Sequence, residues 1–240
     1  MSLPITCPMP RPSSRPLLLG HRGCRGPHPE NTFAAFEYAL ANGCHGFEFD
    51  VRVTADDYLV LIHDSKHHGN EVAHFTYAGL NDRRKRPRSD SPSDPIAYLD
   101  EMLERFASRA WLDIELKVTG IEQRVLNALR KHPPKHGYVV SSFLPGVIRN
   151  CHALDANMPL GLIFKYKSEM KMWRDLPLTH LMPHHRMVSA DLMKMFHSAG
   201  KKVITWTVND AREMQRVADL GVDAIISDYP QLLRSTFEGT

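Results

Sequence analysis

No run of about 18 apolar residues occurs anywhere in the 240-residue chain, so the sequence offers no candidate for a membrane-spanning helix. An aromatic-basic amphipathic helix is also missing, and no stable membrane association is expected. Charge of one sign is never in large excess: 30 Lys and Arg stand against 27 Asp and Glu, a net of +3, which argues against nucleic acid as the main partner. The one local imbalance is Arg83, Arg84, Lys85, Arg86 and Arg88, set among Pro87, Ser89, Asp90, Pro92 and Pro95, and it reads as a solvated loop. Four cysteines, Cys7, Cys24, Cys44 and Cys151, show no CxxC spacing, which excludes a cysteine zinc site and a disulfide scaffold and fits a reducing, cytoplasmic compartment. The opening MSLPITCPMPRPSSRP lacks the basic start and apolar core of a signal peptide. Residues 1–16 are expected to be a disordered, proline-rich tail ahead of a single domain at 17–240. No repeat of solenoid period is present.

What is present is alternation. Apolar runs of strand length at 17–23, 46–51, 111–117, 138–143, 159–164, 180–184, 202–208 and 224–230 are separated mostly by amphipathic stretches such as NTFAAFEYALANG, IEQRVLNALRKH and DAREMQRVADLG. Eight strand-helix units in about 225 residues predict an α/β fold, a TIM-type (β/α)8 barrel rather than an open sheet. YLVLIHD, residues 58–64, breaks the pattern because only TADD separates it from the second strand, too short for a crossover helix. It is expected as an antiparallel hairpin strand extending the second strand. Residues 65–95 have no clear periodicity and read as a short insertion over the barrel mouth, followed by a helix near 97–108.

Chemistry in such barrels sits at the C-terminal strand ends. Those ends carry His21 and Arg22, Glu48 and Asp50, His63 and Asp64, Asp113, Glu115 and Lys117, Ser141 and Ser142, Trp206 and Asn209, and Asp228. Residues two apart on a strand share a face, so Glu48 and Asp50 point one way while Phe47, Phe49 and Val51 point the other. Adjacent carboxylates repel, and what relieves them is a metal ion, a lysine or arginine, or bulk water. Glu48, Asp50 and Glu115 can converge, and three carboxylates without zinc-type spacing suit one hard divalent cation, Mg2+ or Ca2+, with Mn2+ also compatible. Arg22 and Lys117 are candidates to hold a phosphate, and His21 and His63 to exchange protons near neutral pH. Each piece has a plainer reading: Glu-x-Asp as a salt-bridged pair, Lys117 as the neutraliser of Glu115, Trp206 as core. Their joint placement on one rim favours phosphodiester cleavage.

The stretch GHRGCRGPHPENTFAAFEYALANGCHGFEFDVRVTADDYLVLIHD, with LDIELK, SSF, ITWTVND and AIISDYP, resembles the glycerophosphodiester phosphodiesterases over residues 17–232. The resemblance implies a divalent cation on Glu48, Asp50 and Glu115, His21 and His63 as general acid and base, and Arg22 and Lys117 on the phosphate. It also implies Trp206 and Phe143 lining the glycerol pocket, and a water-soluble glycerophosphodiester as substrate, hydrolysed to glycerol 3-phosphate and an alcohol. Two readings stand beside it: a lysophospholipase D-like enzyme on the same scaffold, and a barrel that binds a phosphate ester without chemistry. After His63-Asp64 the chain departs from the family pattern with SKHHGNEVAHF; His67, His68 and His74 read as surface histidines of the insertion. Asn31 or Thr32 is expected to cap the first helix, and Glu30 to orient Arg22 or join the metal shell.

Overall fold

In a computed structural model that describes residues 15–82 and 95–238, the apolar runs become strands and the amphipathic stretches become helices. The tail at 1–14 and the basic run from Arg83 to Arg88 lie outside the described residues. In chain order, β1 (Leu17–His21) leads through α1 (Phe33–Ala41) to β2 (Gly46–Val53), and β3 (Leu59–Leu61) returns antiparallel, pairing Val51 with Leu61. The described part of the insertion holds a two-stranded ribbon, β4 (Lys66–His67) with β5 (Asn70–Glu71), then a single 3-10 turn and the one-turn helix α2 (Tyr77–Leu80). The remaining elements are α3 (Leu99–Phe106), β6 (Trp111–Leu116), α4 (Glu122–Lys131), β7 (Tyr138–Ser142), α5 (Pro145–Leu154) and β8 (Leu160–Phe164). They continue as α6 (Lys167–Met170), β9 (His180–Pro183), α7 (Ala190–Ser198), β10 (Lys202–Thr205), α8 (Ala211–Asp219), β11 (Ala224–Ser227) and α9 (Pro230–Glu238).

Eight of these strands, β1, β2 and β6 to β11, pair in parallel, and β1 joins both β11 and β2, so the sheet closes into the expected barrel. Alternation along each strand divides the core in two. Outward residues such as Phe47, Phe49, Leu112 and Ile114 meet the helices, where Phe36 stacks on Phe47 at 4.2 Å and Phe106 meets both edge-on. Inward residues fill the barrel axis with Leu19, Trp111, Val139, Ile163, Met182, Ile204, Ala224 and Ile226. The described part of the insertion shares a small core with β3, Val60 against Val72 and Leu80, as a packed appendage. No helix among the described residues is long and apolar enough to cross a membrane.

Seven strands stop earlier than the sequence predicts, among them β3 at Leu61 rather than Asp64, β6 at Leu116 and β7 at Ser142. β1 was expected to Gly23, β10 to Val208 and β11 to Pro230, but they end at His21, Thr205 and Ser227, and β9 ends at Pro183 rather than His184. At β1 the cause is local: Arg22 and Gly23 have φ of 50° and 83°, left-handed values that no strand accommodates. After β11 the main-chain N–H of Asp228 turns to the Asn209 side chain, and Pro230 opens α9. These departures from the ladder hand the strand-end side chains to the barrel mouth.

Candidate active site

Register places the charged residues. β2 and β6 align Glu48 with Asp113 and Asp50 with Glu115, while β1 and β2 align His21 with Glu48. Two adjacent strands therefore present carboxylates to the same interior, and β1 sets His21 beside them. One oxygen from each of Glu48, Asp50 and Glu115 lies within 4.8 Å of the other two, and all three residues are buried. Among the described residues no second group of three acidic, histidine or cysteine side chains converges in this way.

The charges around this triad are tightly arranged. Lys117 Nζ donates to Glu115 Oε1 at 2.6 Å and lies 3.3 Å from Asp50 Oδ1. Arg22 Nε stands 3.1 Å from Asp50 Oδ2, an ion pair that misses hydrogen-bond alignment, and Arg22 Nη1 donates to Glu30 Oε1 at 2.7 Å. The Arg22 main-chain N–H donates to Glu48 Oε2 at 3.0 Å, which the left-handed turn makes geometrically available. Burial alone would push Asp50 up, but Lys117, Arg22 and the Asn31 amide outweigh it and hold its carboxyl below the usual range. At Glu48 the Arg22 charge is outweighed: burial, then the charges of Asp50, Glu115 and Asp113, push it well above the usual range. Glu115 is also raised by burial, against the pull of Lys117.

Two basic groups thus face three carboxylates, and Glu48 carries the shortfall. Its Oε1 is buried without any hydrogen-bond partner. A hard divalent cation fits this oxygen-only donor set, because it would neutralise the excess charge and satisfy the orphaned oxygen. Glu48, Asp50 and Glu115 are the residues that would hold it.

The two histidines stand on the same cavity, a space of about 220 Å³ lined also by Arg22, Glu48, Glu115, Lys117, Phe143 and Trp206. His21 Nδ1 is 2.6 Å from Asp228 Oδ1, and its Nε2 is 3.8 Å from Glu48 Oε2. His63 lies beyond the end of β3, with its main-chain oxygen held by Arg52 Nε at 2.9 Å and its Nδ1 2.8 Å from the exposed Asp64 carboxylate. On the far wall the Phe143 and Trp206 rings meet edge-on at 5.5 Å, and Trp206 Nε1 is spent on the Met182 carbonyl, leaving apolar ring surface toward the cavity. A larger cavity of about 390 Å³ lies away from this chemistry, between Tyr58, Tyr98 and α4, and its Arg124 and Asp57 neutralise each other.

All nine residues singled out from the sequence therefore line or underlie one cavity. Five neighbours stand outside those nine. Asn31 was read as an alternative helix cap, but Thr32 caps α1 by accepting from Ala35 N at 3.2 Å, while Asn31 Nδ2 donates to Asp50 Oδ2 at 2.9 Å. Its φ of 57° suits the tolerance of asparagine for left-handed turns. Glu30 orients Arg22 rather than joining the triad. Asp113 lies beneath Glu115, with Oδ1 accepting from Ser141 Oγ at 2.6 Å; burial pushes its carboxyl up to about 8. Asp228 and Asn209 were visible as rim residues, but nothing in the sequence joins residues 228 and 21. His184 and His185 follow the end of β9; His185 bonds Glu213 at 2.7 Å, and His184 stands edge-on to Trp206.

A glycerophosphodiester phosphodiesterase from Bacillus altitudinis is 29% identical over 232 residues, covering 89% of this chain and 94% of that protein. A lysophospholipase D from Rattus norvegicus is 22% identical over 265 residues, covering 90% of this chain and 84% of that protein. The fold is shared with a phosphodiesterase from Oleispira antarctica solved with its product sn-glycerol-3-phosphate, at a TM-score of 0.81 and 24% identity over 93% of this chain and 97% of that one. The sequence model of the glycerophosphoryl diester phosphodiesterase family matches residues 21–232, and the chain belongs to that family.

Proposed function

We propose that the protein hydrolyses water-soluble glycerophosphodiesters to glycerol 3-phosphate and an alcohol, using one divalent cation, Mg2+ or Ca2+, with Mn2+ also compatible, and the pair His21 and His63. The observation that carries this reading is the convergence of the buried acidic triad, two basic side chains and two imidazoles on one cavity of about 220 Å³. When bound, the cation supplies charge neutralisation and polarisation of a phosphoryl oxygen. Arg22 and Lys117 would hold the phosphate, each already directed into the cavity by its carboxylate partners. Phe143 and Trp206 would cover the apolar edge of the glycerol.

The bond broken joins phosphorus to the alcohol oxygen. The incoming oxygen comes from water or from the glycerol 2-hydroxyl, the latter giving a cyclic phosphate first. One imidazole accepts the proton of the incoming hydroxyl, and the other donates a proton to the departing alkoxide. Past His63 a groove of about 330 Å³, lined by Glu30, Asp64, Lys66 and His68, gives the departing alcohol a route to solvent. The buried thiols of Cys24, Cys44 and Cys151 are unpaired, which supports a cytoplasmic location.

The deciding experiment measures glycerol 3-phosphate released from glycerophosphocholine by chelated protein, with magnesium, calcium or manganese added back singly. Turnover restored by at least one ion is expected; no turnover with any of them, in folded protein, overturns the reading. The similarity to a lysophospholipase D favours one second reading, cleavage of lysophospholipids at the same site. A higher rate on lysophosphatidylcholine than on glycerophosphocholine would establish it.

A further inference from the structure

The two histidines are supported very differently. His63 leans on its chain neighbour Asp64, whose side chain is 79% exposed, so that bond competes with water. His21 instead meets Asp228, whose side chain is 7% exposed, across the closure of the barrel where β1 joins β11. Asp228 is itself held. Its Oδ2 accepts from Asn209 Nδ2 at 2.7 Å, and the Asn209 Oδ1 accepts from the Asp228 main-chain N–H at 3.0 Å and from Ser227 Oγ at 3.0 Å. The Ser227 hydroxyl oxygen accepts from Tyr229 N at 3.1 Å, so its proton is free to go to Asn209.

This chain of bonds has only one consistent polarity. A main-chain N–H is an obligate donor, so the Asn209 oxygen must face it and the Asn209 amide cannot flip. The NH2 group then donates to Asp228 Oδ2, and Arg25 Nη1 adds positive charge 3.9 Å from the same oxygen. A carboxylate stabilised from that side accepts at Oδ1, and the proton between Asp228 and His21 belongs to Nδ1. We propose that Asp228, locked by Asn209, is a positioning residue that holds His21 in its Nδ1–H tautomer, with the Nε2 lone pair turned into the reaction cavity. The inference deepens the proposed reaction and rests on His21 being one of its two proton-transfer groups; the tautomer itself stands independently of any turnover.

The polarity makes a specific prediction about isosteric changes. In D228N the Asn209 NH2 compels the new amide to turn its oxygen toward Asn209 and its NH2 toward His21. That forces the imidazole to accept at Nδ1 and carry its proton at Nε2, the wrong tautomer for the cavity. In N209D/D228N the carboxylate introduced at 209 still accepts from the main-chain N–H and Ser227, and now also accepts from the new amide at 228. The oxygen of that amide turns back to His21 and restores the Nδ1–H tautomer. A purely structural role for Asp228 predicts no such rescue.

The test uses the full-length protein and reads the His21 ring nitrogens by 15N NMR, assigned by their loss in His21→Ala. The wild-type protein should carry its proton on Nδ1, D228N on Nε2, and N209D/D228N on Nδ1 again. On glycerophosphocholine, D228N should lose about 100-fold or more in kcat, the scale of one general acid-base contribution, with KM within about 3-fold of wild type. N209D/D228N should regain about 10-fold of that loss. A wild-type Nε2–H signal overturns the proposal, and this spectrum decides even where a variant does not fold. So does a D228N enzyme with unimpaired kcat, or a double variant no faster than D228N. Wild-type protein without turnover on any metal overturns the proposed reaction instead, and leaves the spectrum to judge the tautomer.

Discussion

Within the site, each carboxylate answers to its own surroundings. Glu48 and Glu115 are the two whose buried charge is least compensated, so they gain most from a cation. Glu48→Gln and Glu115→Gln should each weaken Mg2+ or Ca2+ binding by about 10-fold or more, the scale of losing a charged oxygen ligand, as read by calorimetry; undiminished affinity in both variants would refute the triad. His21→Ala and His63→Ala should lower kcat by about 100- to 10,000-fold while metal affinity stays close to wild type. Turnover surviving in both would remove the acid-base assignment. Parity along β2 and β6 was enough to pick out the carboxylates, since a two-residue repeat needs no knowledge of neighbouring strands. Asn31 stood beside Thr32 as an alternative cap because its short side chain serves equally in a cap and in a reach across to Asp50, and only the position of Asp50 decides between them.

The element that matters most is the turn from β1 into α1. It must deliver His21 and Arg22 to the cavity and start a helix within twelve residues. Gly23 makes it possible: its φ is 83°, and a Cβ there would stand 2.6 Å from the Ala35 main-chain carbonyl carbon. Gly23→Ala should therefore destabilise the fold by more than about 1 kcal/mol, the ordinary cost of a residue forced into the left-handed region, and should lower turnover by displacing His21. An unchanged thermal midpoint with unchanged kcat would show that the turn adapts. Thr32→Ala, which removes the cap of α1, should cost about 1 kcal/mol in denaturant unfolding with a smaller effect on kcat. Neither strain nor cap was invisible in HRGCRGPHPENTF, but the sequence fixes no φ, and the first strand was consequently drawn two residues too long. The insertion was harder still: its core of Val60, Val72 and Leu80 gathers residues from a strand and two short turns, so no single period marks it.

At the scale of the whole barrel, closure buries groups that water would otherwise serve. His180 enters the barrel floor beside Trp111, with Nε2 unpartnered, and burial pushes its imidazole down from 6.5 to about 4. The unfolded chain then binds a proton that the folded chain refuses as pH falls below 6.5 toward 4, so stability contributed by the neutral ring is complete above 6.5 and is lost across that window. The loss amounts to roughly 3 kcal/mol. Urea unfolding between pH 7 and pH 4.5 should show a steeper fall in wild-type protein than in His180→Gln, and identical slopes would contradict the buried neutral histidine. The sequence by itself determined the barrel, because alternation of two-residue and helical periods is a local property that eight successive units repeat. The candidate site residues were legible too, because parity along the strands and their joint place on one rim are local properties. What only the tertiary structure decided were the partners: Asp228 beside His21, Asn31 beside Asp50, Asp113 beneath Glu115. Those pairings follow from strand register and from the closure of β1 onto β11, and register is set by the packing of the whole sheet rather than by any stretch of chain within it.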